Sequence, residues 1–239
     1  RLYEVAAALD LKGGLRDRAA ANLAGAAYAH LSRGNSAAAA AAARRALSAG
    51  ASVKVKFQTA RLLIEAGAPD AAQPVIADLS TSLMADAQAY ARILSADMVI
   101  ARVSAKAGDT NGAVDPPSSP TPGTPNIRDA VKSLTEANAT LDTWIGHFDL
   151  GRAYLLAGAF IQADSEFDRC LKRRGEALAL FLDEEPTFSY LPAVYFWQGR
   201  VREGLGSAGA AESYRQYVSI REAAGEDPLL ADARRRSAQ

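Results

Sequence analysis

Apolar residues in this chain recur at the three- and four-residue spacing of amphipathic helices, most clearly over Asp142–Gly175. Phe148, Gly151, Ala153, Tyr154 and Leu155 form one such set, and Phe160, Ala163, Phe167, Cys170 and Leu171 form a second. Each set puts one apolar stripe along a helix, and Leu156-Ala157-Gly158-Ala159 between them reads as a turn. The small residues Gly151 and Ala163 allow two helix backbones to approach closely. Tyr154 and Phe167 can then interdigitate across the hairpin.

The same pattern extends in both directions. Arg1–Leu11 is expected to be helical, with Leu2, Val5, Ala6 and Leu9 on one face and Gly13-Gly14 ending it. Two further pairs of helices turn at Gly34-Asn35 and at Gly67 and Pro69. Pro74 falls early in its helix, where proline is best tolerated. A long helix runs from about Ala85 to Ala107 and turns at Gly108-Asp109. The turn glycines Gly34, Gly67, Gly108, Gly158 and Gly206 each have a small residue seven positions earlier: Ala27, Ala60, Ala101, Gly151 and Gly199. Five positions after them stand Ala39, Ala72, Ala113, Ala163 and Ala211. Ten small residues in ten slots point to five hairpins of one kind.

Two segments interrupt the register. Asp115–Asn126 carries five prolines and is incompatible with helix or central strand; the helix after it resumes at Ile127–Leu141. Glu176–Leu191 is apolar in its front half, which suggests a short extra helix closed by Pro186. Asp227–Arg236, with Pro228 in its first turn, reads as a capping helix.

Leu150-Gly151, Tyr154, Gly158, Ala163 and Phe167 resemble the tetratricopeptide signature, a helix–turn–helix unit of about 34 residues. More narrowly, RGEALALFLDEEPTFSYLP followed by YFWQGRVREGLGSAGAAESYRQY is similar to the carboxy-terminal tetratricopeptide regions of bacterial eukaryotic-like serine/threonine kinases and related signalling proteins. No kinase motif accompanies it: there is no Gly-rich nucleotide loop and no His-Arg-Asp triplet. The resemblance implies an all-α fold, a right-handed superhelical solenoid of about five hairpins with a C-terminal capping helix. On this reading residues 1–239 form a single domain, interrupted at 115–126 and 176–191. It also implies a non-catalytic scaffold for protein–protein recognition, the regulatory or docking part of a larger bacterial signalling protein.

Composition narrows the reading. Hydrophobic residues make up 49% of the 239 but aromatics only 7%, because alanine supplies so much of the apolar count. Twenty-seven basic residues balance 27 acidic ones, so nothing global draws nucleic acid or an anionic membrane. A single cysteine excludes an internal disulfide framework. No apolar run approaches the roughly 20 residues of a membrane helix. The chain opens at Arg1 without a signal-peptide pattern and reads as a fragment of something longer. A cytoplasmic location fits, as does the periplasmic part of a membrane-anchored protein.

Catalytic chemistry is sparse. His30 and His147 have no partner at i+3 or i+4 to make a metal pair, so no metal and no cofactor is expected. Cys170 falls on the inner side of its helix as a packing residue. Asp183-Glu184-Glu185 precedes a proline and reads as a solvated turn, and Arg234-Arg235-Arg236 suits a helix C-terminus. No nucleophile–base pair emerges, and an enzyme is not expected.

One pattern stands out. Six positions before each of the last four turn glycines is an arginine: Arg61, Arg102, Arg152 and Arg200. Four before each arginine is a large apolar residue: Phe57, Met98, Phe148 and Phe196. Residues at i and i+4 share a helix face, and these positions resemble the inward-facing ones of tetratricopeptide grooves. With Lys54 and Lys106 they would line a channel for an extended acidic peptide or tail, since guanidinium binds carboxylate bidentately. The alternative ligand class is a small acidic molecule held by an accessory or sensor domain. Against both stands internal ion pairing, with Glu65 beside Arg61, Asp149 beside Arg152 and Glu203 beside Arg200. The ladder positions carry no asparagine, which argues against a clamp for chaperone carboxyl tails.

Overall fold

The computed structural model describes residues 1–108, 126–177, 188–224 and 227–238. Among them every regular element is helical. The chain divides into two compact units, Arg1–Leu94 and Ser95–Gln239.

The first unit holds α1 (Leu2–Lys12), α2 (Arg16–Leu31), α3 (Ser36–Ala49), α4 (Val53–Glu65), α5 (Pro69–Ser80) and the first part of α6 (Ala85–Gly108). The turns of its two hairpins contain Gly34 at φ 72° and Gly67 at φ 77°, a left-handed conformation that costs a Cβ-bearing residue about 1–2 kcal/mol. Asn35 and Ser52 start α3 and α4 by accepting hydrogen bonds from Ala38 N and Val55 N at 3.1 and 3.4 Å. Pro69 stands in the first turn of α5. Pro74 lies deeper in that helix than expected, past its first turn, but on its exposed side. Alanine dominates the packing: Ala39, Ala43 and Ala46 of α3 and Ala19, Ala20 and Ala27 of α2 are fully buried. α4 packs against both α2 and α3.

α1 turns its apolar stripe outward. Its inner side is Ala7 and Asp10, buried at 1% and 5% exposure, while Leu2, Val5 and Leu9 face outward. Asp10 accepts hydrogen bonds from Arg18 Nε at 2.7 Å and Asn22 Nδ2 at 2.9 Å. These two partners fix α1 on α2.

The second unit contains the rest of α6, then α7 (Ile127–Thr140), α8 (Trp144–Leu156), α9 (Phe160–Lys172), the single turn α10 (Arg174–Ala177), α11 (Leu191–Gly204), α12 (Ala210–Arg221) and α13 (Leu230–Ser237), with 3-10 turns at Phe188–Tyr190 and Glu222–Ala224. α7 opens with a capping box between Asn126 and Asp129. The α8–α9 and α11–α12 turns contain Gly158 at φ 73° and Gly206 at φ 63°. α11 packs against both α8 and α9, the relation α4 has to α2 and α3. Gly151 and Gly199 lie against the rings of Phe167 and Tyr214 from the second helix of their own hairpins.

α13 lies in the stretch expected to be helical over Asp227–Arg236, but it starts at Leu230, so Pro228 falls in the turn before it and not in its first turn. Its Leu230 and Ala233 complete a cluster with Phe196, Tyr214 and Tyr217. Asp227 anchors it, accepting from Tyr217 Oη at 2.8 Å, Arg221 Nε at 2.5 Å and Leu229 N at 2.9 Å. Arg236, at its end, reaches Glu203 of α11 at 2.7 Å. The Gly108-Asp109 turn beyond Gly108, Ala113, Asp183-Glu184-Glu185, Pro186, the proline-rich segment before Asn126 and most of the 176–191 insertion lie outside the described residues.

Candidate binding face

The arginine–aromatic pairs separate into different environments. In the first unit, Phe57 is buried at 1% exposure and packs against Tyr90 with ring centroids 4.4 Å apart and planes tilted by 34°. Arg61 is buried at 2%, with Nε 3.1 Å from Glu65 Oε1. Lys54 is half-buried near the start of α4. A cleft in this unit is lined by Arg16 and Asp17, but both are spent on the main chain. Arg16 Nε donates to Ala49 O at 2.9 Å, and Asp17 Oδ1 accepts from Ala51 N at 2.9 Å.

The second unit brings Arg152 of α8 to the centre of a mixed aromatic and acidic group. Its guanidinium carbon lies 5.7 Å from the ring centre of Phe148 and 5.7 Å from that of Trp197 on α11, within cation–π range. Its Nη1 is 3.3 Å from Asp149 Oδ1 and 3.4 Å from Asp97 Oδ1. Both aspartates are buried, at 0% and 1% exposure. Two buried carboxylates against one guanidinium mean that the charge of Arg152 is already met. Phe148, at 2%, is core; it stacks on Trp144 at 5.6 Å and touches Tyr190 at 5.9 Å.

Arg200 differs. Its Nε is 3.5 Å from Glu203 Oε2, while the same carboxylate oxygen is 2.7 Å from Arg236. Glu203 is therefore shared, and the closer guanidinium takes the larger part of its charge. Arg200 keeps positive charge to offer, at 25% side-chain exposure. Phe196 is buried in the terminal cluster. Arg102 is exposed on α6, and among the described residues no acidic group is in ion-pair contact with it; Met98, one turn earlier, is half-buried. Lys106 lies on α6 with its side chain outside the described residues.

The structure thus contains the three internal pairs that the spacing offered: Arg61 with Glu65, Arg152 with Asp149, and Arg200 with Glu203. Trp197, Asp97 and Tyr190 were not legible as members of this face. Asp97 was visible only as a lone carboxylate inside the apolar run Ile93–Ile100, a position that requires a buried counter-charge. Nothing in the sequence pointed to Arg152 as that charge.

A second charged group lies where α8, α9 and α10 meet. His147 is buried at 4% exposure, with Nε2 2.6 Å from Asp142 Oδ1 and Nδ1 2.7 Å from Glu166 Oε2. Arg173 donates to Asp142 Oδ1 at 2.7 Å and to both oxygens of Glu176 at 2.7 and 2.5 Å. The Arg173 hydrogen bond, followed by that of His147, holds the Asp142 carboxyl below the usual carboxylate range. Beside this group Cys170 is buried, and burial, followed by the Glu166 and Asp149 charges, pushes its thiol up. A thiol so raised stays protonated and inert at neutral pH. The Trp144 indole donates to Cys170 O at 2.9 Å, so these residues pin two helices together.

Comparison of the chain with models of known protein families, with curated protein sequences and with solved structures returns no match. Among the described residues no helix is long and apolar enough to cross a membrane.

Proposed function

We propose that this chain is a non-catalytic docking scaffold of tetratricopeptide-like hairpins, and that it takes an extended acidic segment on the α8–α11 face. One observation carries the reading. In each unit the first helix of the later hairpin packs on both helices of the earlier one, α4 on α2 and α3, and α11 on α8 and α9. Stacking of that kind sets first helices side by side and builds a continuous surface from them. With Gly34, Gly67, Gly158 and Gly206 all left-handed, it favours a solenoid of repeated hairpins. The resemblance to kinase-associated repeats favours a place in a larger bacterial signalling protein.

The roles on the face follow from charge. Arg152, neutralised by Asp149 and Asp97, holds Trp197 in place as an aromatic platform. Arg200 and Arg102 supply the charge for ligand carboxylates, each charge-assisted contact being worth about 1.5–3 kcal/mol. The test is fluorescence anisotropy with a labelled Glu/Asp-rich peptide. Arg102→Ala with Arg200→Ala should weaken binding at least tenfold, leave the melting temperature unchanged and flatten the salt dependence. Equal affinity in wild type and double variant, or no binding at low salt, overturns the reading.

A further inference from the structure

We infer that Arg236 of the terminal helix is a positioning residue for the α8–α11 face. It draws the Glu203 carboxylate away from Arg200, so that the docking of α13 sets how much charge Arg200 offers a ligand. The inference rests on the reading of that face as a site for acidic segments, and it adds the regulation of that site. Glu203 Oε2 lies 2.7 Å from Arg236 Nη1 and 3.5 Å from Arg200 Nε. The first contact is a charge-assisted hydrogen bond, whereas the second is beyond ordinary hydrogen-bond length. Arg200 and Glu203 are nevertheless three residues apart on α11, a spacing at which side chains meet on a helix surface. Once Arg236 is taken away, the nearest cation to this carboxylate among the described residues is Arg200.

Arg236 is held in place by the docking of its helix. Leu230 and Ala233 bury one side of α13 in the cluster of Phe196, Tyr214 and Tyr217. Asp227, ahead of the helix, accepts from Tyr217 Oη and Arg221 Nε. Within α13, Asp232 Oδ2 accepts from Arg236 Nε at 2.9 Å, which leaves Nη1 for Glu203. Asp232 also meets Arg235 through its other oxygen, so its charge is divided and Arg236 retains charge for Glu203. The Glu203 charge reaches Tyr214 of α12 as well, but the hydroxyl there is pushed up, first by burial and then by that charge. It stays protonated and offers Glu203 no positive charge. A cation on the last helix thus decides the pairing of a residue on the helix that carries the ligand-facing charge. When α13 undocks, Arg236 leaves with it, and Glu203 closes on Arg200 and offsets its charge. Partly exposed pairs of this kind change an equilibrium by a factor of about two to five, which sets the size of the effect.

The experiment uses the whole chain and the labelled Glu/Asp-rich peptide, with Arg236→Gln, Glu203→Gln and the two combined. Fluorescence anisotropy at low salt should show binding weakened about two- to fivefold in Arg236→Gln, and at least as tight as wild type in Glu203→Gln. The double variant should bind as Glu203→Gln does. Both single substitutions break the same contact between α11 and α13, so a merely structural link would weaken binding in both. An Arg236 that touched the peptide itself would cost the same factor with or without Glu203→Gln. Either of these results overturns the inference. Melting temperatures decide without any peptide. Arg200→Ala should leave the wild type unchanged and lower the melting temperature of Arg236→Gln by about 1–3 °C, because Arg200 has then become the partner of Glu203. Equal effects of Arg200→Ala in the two backgrounds overturn the inference even where the peptide binds. A wild type that does not bind the peptide, with the melting difference present, overturns the acidic-segment reading and supports the control of Arg200 by Arg236.

Discussion

A β-carbon on Gly151 would stand 2.7 Å from Cε1 of Phe167, and Phe167 has no solvent exposure through which to retreat. Two effects compete when Gly151→Ala is made. Helix propensity favours alanine by about 1 kcal/mol, whereas forcing atoms into a packed core costs about 1–3 kcal/mol. The ring is enclosed, so overpacking wins, and thermal denaturation should show a net loss of up to about 2 kcal/mol. Gly175 supplies the control. Nothing lies within 4 Å of its added carbon, and Gly175→Ala should leave stability unchanged or raise it by up to about 1 kcal/mol.

The turn glycines fail for a different reason. Around Gly158 and Gly206 there is open space, but both have positive φ. Gly158→Ala should cost about 1–2 kcal/mol from backbone strain alone. Asparagine tolerates the left-handed region, so Gly158→Asn should cost less than alanine does. Chemical denaturation midpoints of the two variants, at equal slope, give the ordering. Equal losses would mean that the turn itself shifts.

Removing Arg152 should unbalance the core. Arg152→Met keeps the stem beside Phe148 and Trp197 but takes the counter-charge from Asp97 and Asp149, both buried. Breaking a buried ion pair by deleting one partner costs about 3–5 kcal/mol. Residual solvent at Arg152, 18% exposed, puts this variant at the lower end. Adding Asp149→Asn should recover much of the loss in urea unfolding, because one charge then disappears with its partner. If the double variant is as unstable as the single one, Arg152 is packing material and not a counter-ion.

Acid should expose the contribution of Asp142. Its carboxyl is held low in the folded state, first by Arg173, so the folded protein resists protonation there more than the unfolded chain does. The contribution is complete above the ordinary aspartate range and is lost as pH falls through the lowered value. Asp142 is 63% exposed, and solvent screening keeps the effect below about 1 kcal/mol. Melting curves between about pH 6 and pH 2.5 should show Asp142→Asn less stable than wild type at the upper end, with the difference closing on acidification. A gap that does not change with pH would contradict the assignment.

The helices were legible because their periodicity is local. Four of the turn glycines expected from spacing are left-handed, and α6, α7, α8 and α9 fall where the sequence pattern put them, whereas α13 starts three residues after the expected Asp227. Pairing was legible where it was also local: Glu65, Asp149 and Glu203 are three or four residues from their arginines. What escaped depends on contacts between distant segments. The ring of Trp197 reaches Arg152 from another hairpin, and His147 meets Glu166 in the next helix. On α1 the spacing groups Leu2, Val5 and Leu9 on one face without saying which way that face points; the contacts of Asp10 with Arg18 and Asn22 accompany their outward position.

Each hairpin whose turn lies among the described residues joins helices that are neighbours in sequence through a turn of a few residues, and this affects how the chain reaches its folded state. Loop closure is cheapest for short loops, and chains dominated by such contacts fold fast. α8 and α9 can meet before any distant partner arrives, because Trp144 and Cys170, Gly151 and Phe167 all belong to one stretch of chain. α13 has no such independence: its Leu230 and Ala233 need the cluster of Phe196, Tyr214 and Tyr217 already in place. Order is therefore expected to spread outward from the hairpins, with α13 docking last and its amide protons exchanging first.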